Sequence, residues 1–275
     1  MKRVIINIPN ATKEYFVRLK NKYNPDGSKL CQYQKHLSET LREFDSLCRE
    51  HNIVYYLAYG TLLGAVRHKG FIPWDDDADL WMDRDNYAKL EKLMKGDHHQ
   101  LTKNVYVTMG IRPELWSPPY AYIDIFILDC VPKAKTMAIV KEKIAKFLYM
   151  MIKCRERMCP KNRKTLKPYD LLIPIALFLP TQRWKNLLKR ISTWPHNPKH
   201  INSNILQIYN NCFNNIKDQY PANCDLWEPI EIEFENHWYY APKGYDELLR
   251  RDYGEYMTLP NDNEIQVHGI VEKML

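Results

Sequence analysis

No run of this 275-residue chain is apolar enough for long enough to cross a bilayer. The first residues, MKRVIINIPNATKEYF, start basic, but Asn, Thr, Lys and Glu soon interrupt the apolar stretch, so no secretory signal is expected and the chain is read as cytoplasmic. CxxC pairs are missing too. The seven cysteines, Cys31, Cys48, Cys130, Cys154, Cys159, Cys212 and Cys224, are odd in number and lack zinc-site spacing, so they read as reduced thiols. Neither GxxxxGK[ST] nor GxGxxG occurs, which removes support for a P-loop or a Rossmann dinucleotide unit. RNA-recognition and zinc-finger signatures are also absent, and the aromatic residues are dispersed rather than gathered with basic ones. Nucleic acid is therefore not an expected partner. There is no internal repeat.

A 45% hydrophobic fraction with 27% charged residues describes a folded globular protein, and the length suits one catalytic domain with additions. The formal charge of +7 favours anionic partners without choosing among them.

From Leu30 to His51, Leu37, Leu41, Phe44 and Leu47 recur at the spacing of one helical face, predicting an amphipathic helix. IVYYLAYG then reads as a buried strand meeting a tight turn at Gly60, and TLLGAVRH as a short helix. Next come a candidate strand Ala78 to Met82, a helix near Asp85 to Lys95 with Tyr87, Leu90 and Met94 on one face, and a strand around Val105 to Met109. PPYAYIDIFILD predicts a central strand, with Ile123, Ile125 and Ile127 on one face and Tyr122, Asp124 and Phe126 on the other. From Lys135 to about Ile191 the composition turns basic and apolar, which reads as an inserted helical lobe. Its apolar segment Leu171 to Leu179 is followed by Arg183, Lys185, Lys189 and Arg190. Two readings of residues 171–190 stay open, a peripheral contact with the membrane surface and a buried helix pair. IEIEFENHWYYAP is β-like and GYDELLRRDYGEYM helical. The expected division is 1–134 for the N-terminal helix and core, 135–200 for the lobe, and 201–275 for a segment completing the core.

Four of the five residues from Asp75 to Asp79 are aspartates, and the run feeds directly into Leu80, Trp81 and Met82. Like charges entering a core need a cation, basic partners or protonation. If residues 77–79 are extended, alternation puts Asp77 and Asp79 on one face, with Asp75 as an auxiliary and Asp76 pointing away. Hard carboxylate oxygens suit Mg2+ or Mn2+. An EF-hand of Asp75, Asp77 and Asp79 fits poorly, because Leu80 stands where that loop needs Gly and no bidentate Glu follows at the required distance. Gly60 and Thr61 form a turn whose backbone amides could hold phosphate at a helix N-terminus.

With these residues in view, AYGTLLGAVRHKGFIPWDDDADLWM resembles the signature of the LicD and fukutin family. YIDIFILD and APKGYDELLRRDYGEYMTLP extend the resemblance, which covers most of 31–134 and 234–262. It implies an α+β fold, a nucleotidyltransferase-like mixed sheet with flanking helices, interrupted here by the basic lobe. It also implies transfer of phosphocholine or a polyol phosphate from a CDP-activated donor onto a glycan. Carried over by position, it makes Asp77 and Asp79 metal ligands with Asp75 beside them, Gly60 and Thr61 the donor-phosphate turn, and Asp124 a further ligand or the base. Ala78 departs from the more usual Ile or Val.

The expected activity is therefore magnesium-dependent phosphotransfer from a CDP-alcohol to a hydroxyl of a cell-surface glycan or its lipid-linked precursor, as in lipopolysaccharide or polysaccharide biosynthesis. Arg67 is favoured over His68 and Lys69 as a contact to the pyrophosphate, because a guanidinium binds phosphate in a bidentate manner. Lys243, Arg250 and Tyr253 match the family pattern, with seating of the last helix and substrate contact both open. Trp74 and Trp81 read as core. The competing functions are nucleotidyl transfer to a small acceptor and non-catalytic, metal-dependent glycan binding.

Overall fold

A computed structural model describes residues 1–8, 10–94, 105–107, 123–130, 132, 134–157, 171–194, 206–208, 225–259 and 265. Met109, Tyr122, Cys159, Cys212 and Cys224 lie outside the described residues. In chain order the elements are β1 (Arg3–Val4), α1 (Asn10–Tyr23), α2 (Lys29–Glu50), β2 (Tyr56–Leu57), α3 (Tyr59–Arg67), β3 (Ala78–Asp83), α4 (Arg84–Met94), β4 (Val105–Val107), β5 (Ile123–Cys130), α5 (Lys135–Arg157), α6 (Ile173–Leu177), α7 (Thr181–Ser192), β6 (Leu206–Ile208), β7 (Pro229–Phe234), β8 (His237–Pro242) and α8 (Tyr245–Tyr253). The α+β class expected from the sequence holds. Two compact units divide the chain, one of residues 1–107, 113–126 and 224–275, the other of 108–112 and 127–223.

Within the first unit, α2 supplies the apolar stripe. Leu37, Leu41 and Phe44 are fully buried, and the Ser28 hydroxyl caps the helix by accepting from the Cys31 amide at 3.1 Å. One sheet runs β1-β7-β8, with β1 parallel to β7 and an antiparallel β7–β8 hairpin. That hairpin turns at Glu235 and Asn236, both at positive φ (49° and 57°), the geometry that matches the twist of paired strands. The other sheet runs β2-β3-β5-β4, with β2 antiparallel to β3 and β4 parallel to β5. In β5 the expected parity holds: Ile123, Ile125 and Ile127 are fully buried, whereas Asp124 and Phe126 are half-buried.

Asp45 ties α2 to the β7–β8 hairpin. It is almost fully buried and accepts from the Tyr55 hydroxyl at 2.5 Å. Arg49 Nε donates to both its oxygens at 2.9 and 2.8 Å, and His237 Nε2 lies 2.8 Å from Oδ2. Arg49 continues to Glu231 and to the Trp238 carbonyl, and its guanidinium lies over Tyr240.

In the second unit, Ala145, Leu148, Met151 and Ile152 of α5 pack with Ala176, Trp184 and Leu188. Lys141 is almost fully buried there, and its ammonium donates to the carbonyls of Cys130 (2.7 Å) and Ser192 (2.9 Å). Carbonyl oxygens thus replace the water that a buried cation loses. The end of β5 pairs antiparallel with β6.

Two readings change. The strand expected over IVYYLAYG shrinks to Tyr56–Leu57, because Tyr59 turns to a φ of 42° and begins α3 one residue before Gly60. Helix α1 had not been anticipated.

Candidate functional site

The acidic run lies between α3 and β3. One carboxylate oxygen from each of Asp75, Asp76 and Asp77 can be chosen so that all lie within 4.8 Å of one another. Asp75 and Asp76 are buried, at 7% and 3% exposure. The expectation that Asp76 points away is therefore corrected. Strand alternation does not govern residues 75–77, because β3 begins only at Ala78, and the chain there folds the three carboxylates together. Asp79, on β3, sits beside them. Its carboxyl is held well above the usual range, first by burial and then by the charges of Asp77, Asp124 and Asp75. Structure thus brings Asp124 into the electrostatic neighbourhood of the run from a strand 45 positions away in sequence.

Gly60 and Thr61 serve this cluster directly. A Cβ on Gly60 would stand 2.7 Å from Asp75 Oδ2, so the bare glycine is what lets that carboxylate approach the first turn of α3. Helix N-terminal amides and the helix dipole favour negative charge there. The buried Thr61 hydroxyl accepts the amide proton of Asp79 at 2.8 Å, and Ala58 donates to the Asp79 carbonyl at 2.9 Å. Both ends of the Asp79 peptide are therefore fixed. Tyr59, at its positive φ, is held by edge-on contacts with Trp81 (5.1 Å) and Phe126 (5.0 Å). A non-glycine residue in this region stores backbone strain, which clusters at functional sites.

The loop carrying the acids is braced from outside. Gln34 on α2 donates to the carbonyls of Ile72 (3.2 Å) and Asp75 (2.8 Å). From the hairpin turn, Glu235 Oε1 accepts from the Phe71 amide at 3.1 Å, while the Glu235 amide donates to Lys69 at 2.9 Å. Gly70 is bare against the same Glu235 carboxylate.

Arg67 is buried, and its guanidinium donates to the Tyr256 carbonyl at 2.8 Å and to His68 Nε2 at 3.0 Å. Desolvation brings it down to about 10. The structure thus places this residue on the main chain that follows α8. His68 is pushed down to about 3 by burial and by Arg67, so it is neutral. Its ring lies tilted against Phe16, 4.2 Å between centres, and, with Lys69, it lines a cavity of about 390 Å³.

Tyr253 had been left out of the catalytic set. Its hydroxyl is raised by desolvation and then by the charges of Asp79, Asp252 and Asp75, although 43% of the residue is exposed. Its position in the family-like closing segment was the available signal. Of the tryptophans, Trp81 is fully buried as expected, whereas Trp74 is half-buried, edge-on to Tyr23 at 5.4 Å.

Oxygen ligands only, several of them buried and mutually repelling, form a donor set that fits a hard divalent cation. A carboxylate cluster between a short helix and a strand of a mixed sheet defines the class of this protein, an α+β protein with a polyacidic site. Residues 52–116 match the family described as LicD/FKTN/FKRP, nucleotidyltransferase domain. Over 249 residues the chain is 28% identical to the lipopolysaccharide cholinephosphotransferase LicD of Haemophilus influenzae, covering 83% of this chain and 91% of that protein. It is also 36% identical over 73 residues to an uncharacterized protein of Rickettsia prowazekii, 26% of each chain. A Rickettsia typhi protein, likewise uncharacterized, is 36% identical over 80 residues, 28% of this chain and 26% of its own. The resemblance read from the sequence is borne out over residues 52–116, which match the LicD family's domain.

Proposed function

We propose that the protein moves a phosphorylated alcohol, phosphocholine in the first instance, from a CDP-activated donor to a hydroxyl of a cell-surface glycan or its lipid-linked precursor. The observation that supports this reading is the cluster of Asp75, Asp76 and Asp77, with Asp79 and Asp124 in its electrostatic neighbourhood. The cholinephosphotransferase activity named for the Haemophilus relative supports the choice of alcohol and of a lipopolysaccharide-type acceptor. The core is read as nucleotidyltransferase-like, the domain type of the matching family.

Asp75, Asp77 and Asp79 would hold Mg2+ or Mn2+. When bound, the ion neutralises charge on the donor's phosphate oxygens. The chain's own residues do the rest. Thr61 fixes Asp79, the bare Gly60 leaves room for the Asp75 carboxylate, and amides at the start of α3 favour negative charge. Asp124 takes the proton of the acceptor hydroxyl as its oxygen attacks the alcohol-bearing phosphorus and the bond to CMP breaks. CMP leaves with the electron pair. Arg67 acts on this site through the Tyr256 segment, unless donor binding draws its guanidinium to the pyrophosphate.

The test is CMP release from a panel of CDP-alcohols with glycan acceptors, with added magnesium or chelator, for wild type, Asp77→Ala and Asp124→Asn. Loss of one metal-binding or base carboxylate is expected to lower turnover by about 100-fold or more. Wild-type activity in Asp77→Ala, or in chelator, would sink the assignment. Pyrophosphate release from a nucleoside triphosphate would point instead to nucleotidyl transfer.

A further inference from the structure

The second unit is far more basic than the remainder of the chain. Residues 127–223 hold 18 of the 40 Lys and Arg but 5 of the 33 Asp and Glu, a surplus of 13 in a chain whose net charge is +7. The same unit exposes large apolar side chains. Leu171 is 85% and Phe178 86% exposed, the highest values for large hydrophobics among the described residues, and Ile175 and Leu177 are about half exposed (49% and 46%).

Helix α5 adds a stripe. Met137, Val140, Ile144 and Phe147 follow helical spacing and are 39–49% exposed, one position round from the inward-facing Ala138, Lys141, Ala145 and Leu148. The two apolar regions are linked. Phe147 lies edge-on to Trp184, 6.4 Å between ring centres, and the Trp184 indole donates at 3.0 Å to the carbonyl of Ala176, between Ile175 and Leu177. Lys135, Lys143, Arg183 and Arg190 are exposed on the same helices.

We propose that this apolar, positively charged face docks on the surface of an anionic lipid bilayer. No helix of the structure among the described residues is long and apolar enough to cross a membrane, so the contact is interfacial: Leu171, Ile175 and Phe178 enter the headgroup boundary while the cations meet lipid phosphates. Charge selects this occupant. A second copy would set one surplus of positive charge against another, and a nucleic acid would leave Leu171 and Phe178 in water. An anionic bilayer satisfies both the apolar side chains and the cations.

The experiment is co-sedimentation of the full chain with phosphatidylcholine vesicles, with and without phosphatidylglycerol, for wild type, Leu171→Ser/Phe178→Ser and Arg183→Gln/Arg190→Gln. Circular dichroism checks that each variant keeps its helices. Expected are binding that requires phosphatidylglycerol, weakening by about tenfold or more in each double variant, and release by salt. Absence of binding, equal binding to neutral vesicles, or wild-type binding by Leu171→Ser/Phe178→Ser overturns the proposal. Lipid-free self-association abolished by Phe178→Ser also overturns it, in favour of a second copy. Vesicle binding is read without donor or acceptor, so this proposal and the transferase reading fail independently.

Discussion

Thr61 and Asp79, 18 positions apart, share one hydrogen bond: the Asp79 amide donates to the Thr61 hydroxyl at 2.8 Å. The threonine that looks like part of a phosphate turn also seats the strand residue beside the acidic cluster. Thr61→Val keeps the shape and removes the acceptor, leaving a poorly solvated amide at a cost of about 1–3 kcal/mol. Thermal melts should show that loss, and CMP release should fall with it. Thr61→Ser should restore both, and a Val variant with wild-type stability would deny the bond its role.

Gly60→Ala should separate folding from function. The added Cβ meets the end of the Asp75 side chain at 2.7 Å rather than backbone, so the carboxylate can swing away and the fold survives. The expected result is a melting temperature close to wild type with magnesium affinity lowered by tenfold or more, read by titration calorimetry. Unchanged affinity would show that Asp75 does not need its place beside α3.

Asp79 gives the metal-free protein a pH dependence with a definite sign. Its folded carboxyl sits well above the usual range because of burial and neighbouring acids. The native state therefore holds a proton that the unfolded state releases near pH 4. The associated stability is full below about pH 4 and is lost as pH rises through the folded value. In chelator, Asp79→Asn and wild type should melt alike near pH 4, with wild type falling progressively below the variant toward neutrality. Magnesium should narrow the gap, because a cation takes over the proton's task. Parallel curves at every pH would contradict the burial of charge at this position.

Asp45 should govern stability without touching the acidic site. It accepts from Tyr55 and Arg49 and pairs with His237 while nearly fully buried. Asp45→Ala leaves Arg49 without its intrahelical partner, and removing one member of a buried pair costs about 3–5 kcal/mol. Urea denaturation should report that loss, with magnesium affinity retained by the fraction still folded. A loss under about 1 kcal/mol would show that the network relaxes around the gap.

Much of the scaffold was legible because its signals are periodic. The stripe of Leu37, Leu41 and Phe44 and the alternation of Ile123, Ile125 and Ile127 each declare one buried face, and burial follows them. Asp76 escaped for the converse reason. Alternation was extended beyond the strand, into three residues of which the first, Asp75, is held by a bond from Gln34 and admitted by the bare Cα of Gly60. Arg67 was similarly opaque, since its carbonyl partner at Tyr256 is 189 positions away and carries no local pattern. Tyr253 likewise feels the charges of Asp79 and Asp75 from a helix distant in sequence, a relation that leaves no trace in spacing.

Glu235 holds the amide of Phe71 from 164 positions downstream. During synthesis, every aspartate of the site is made well before the hairpin turn that braces their loop. A nascent chain can thus carry all its acidic ligands while lacking the clasp that shapes them. Closing so long a loop is entropically costly and slow, so the polyacidic centre should take its final shape only after the β7–β8 hairpin has left the ribosome.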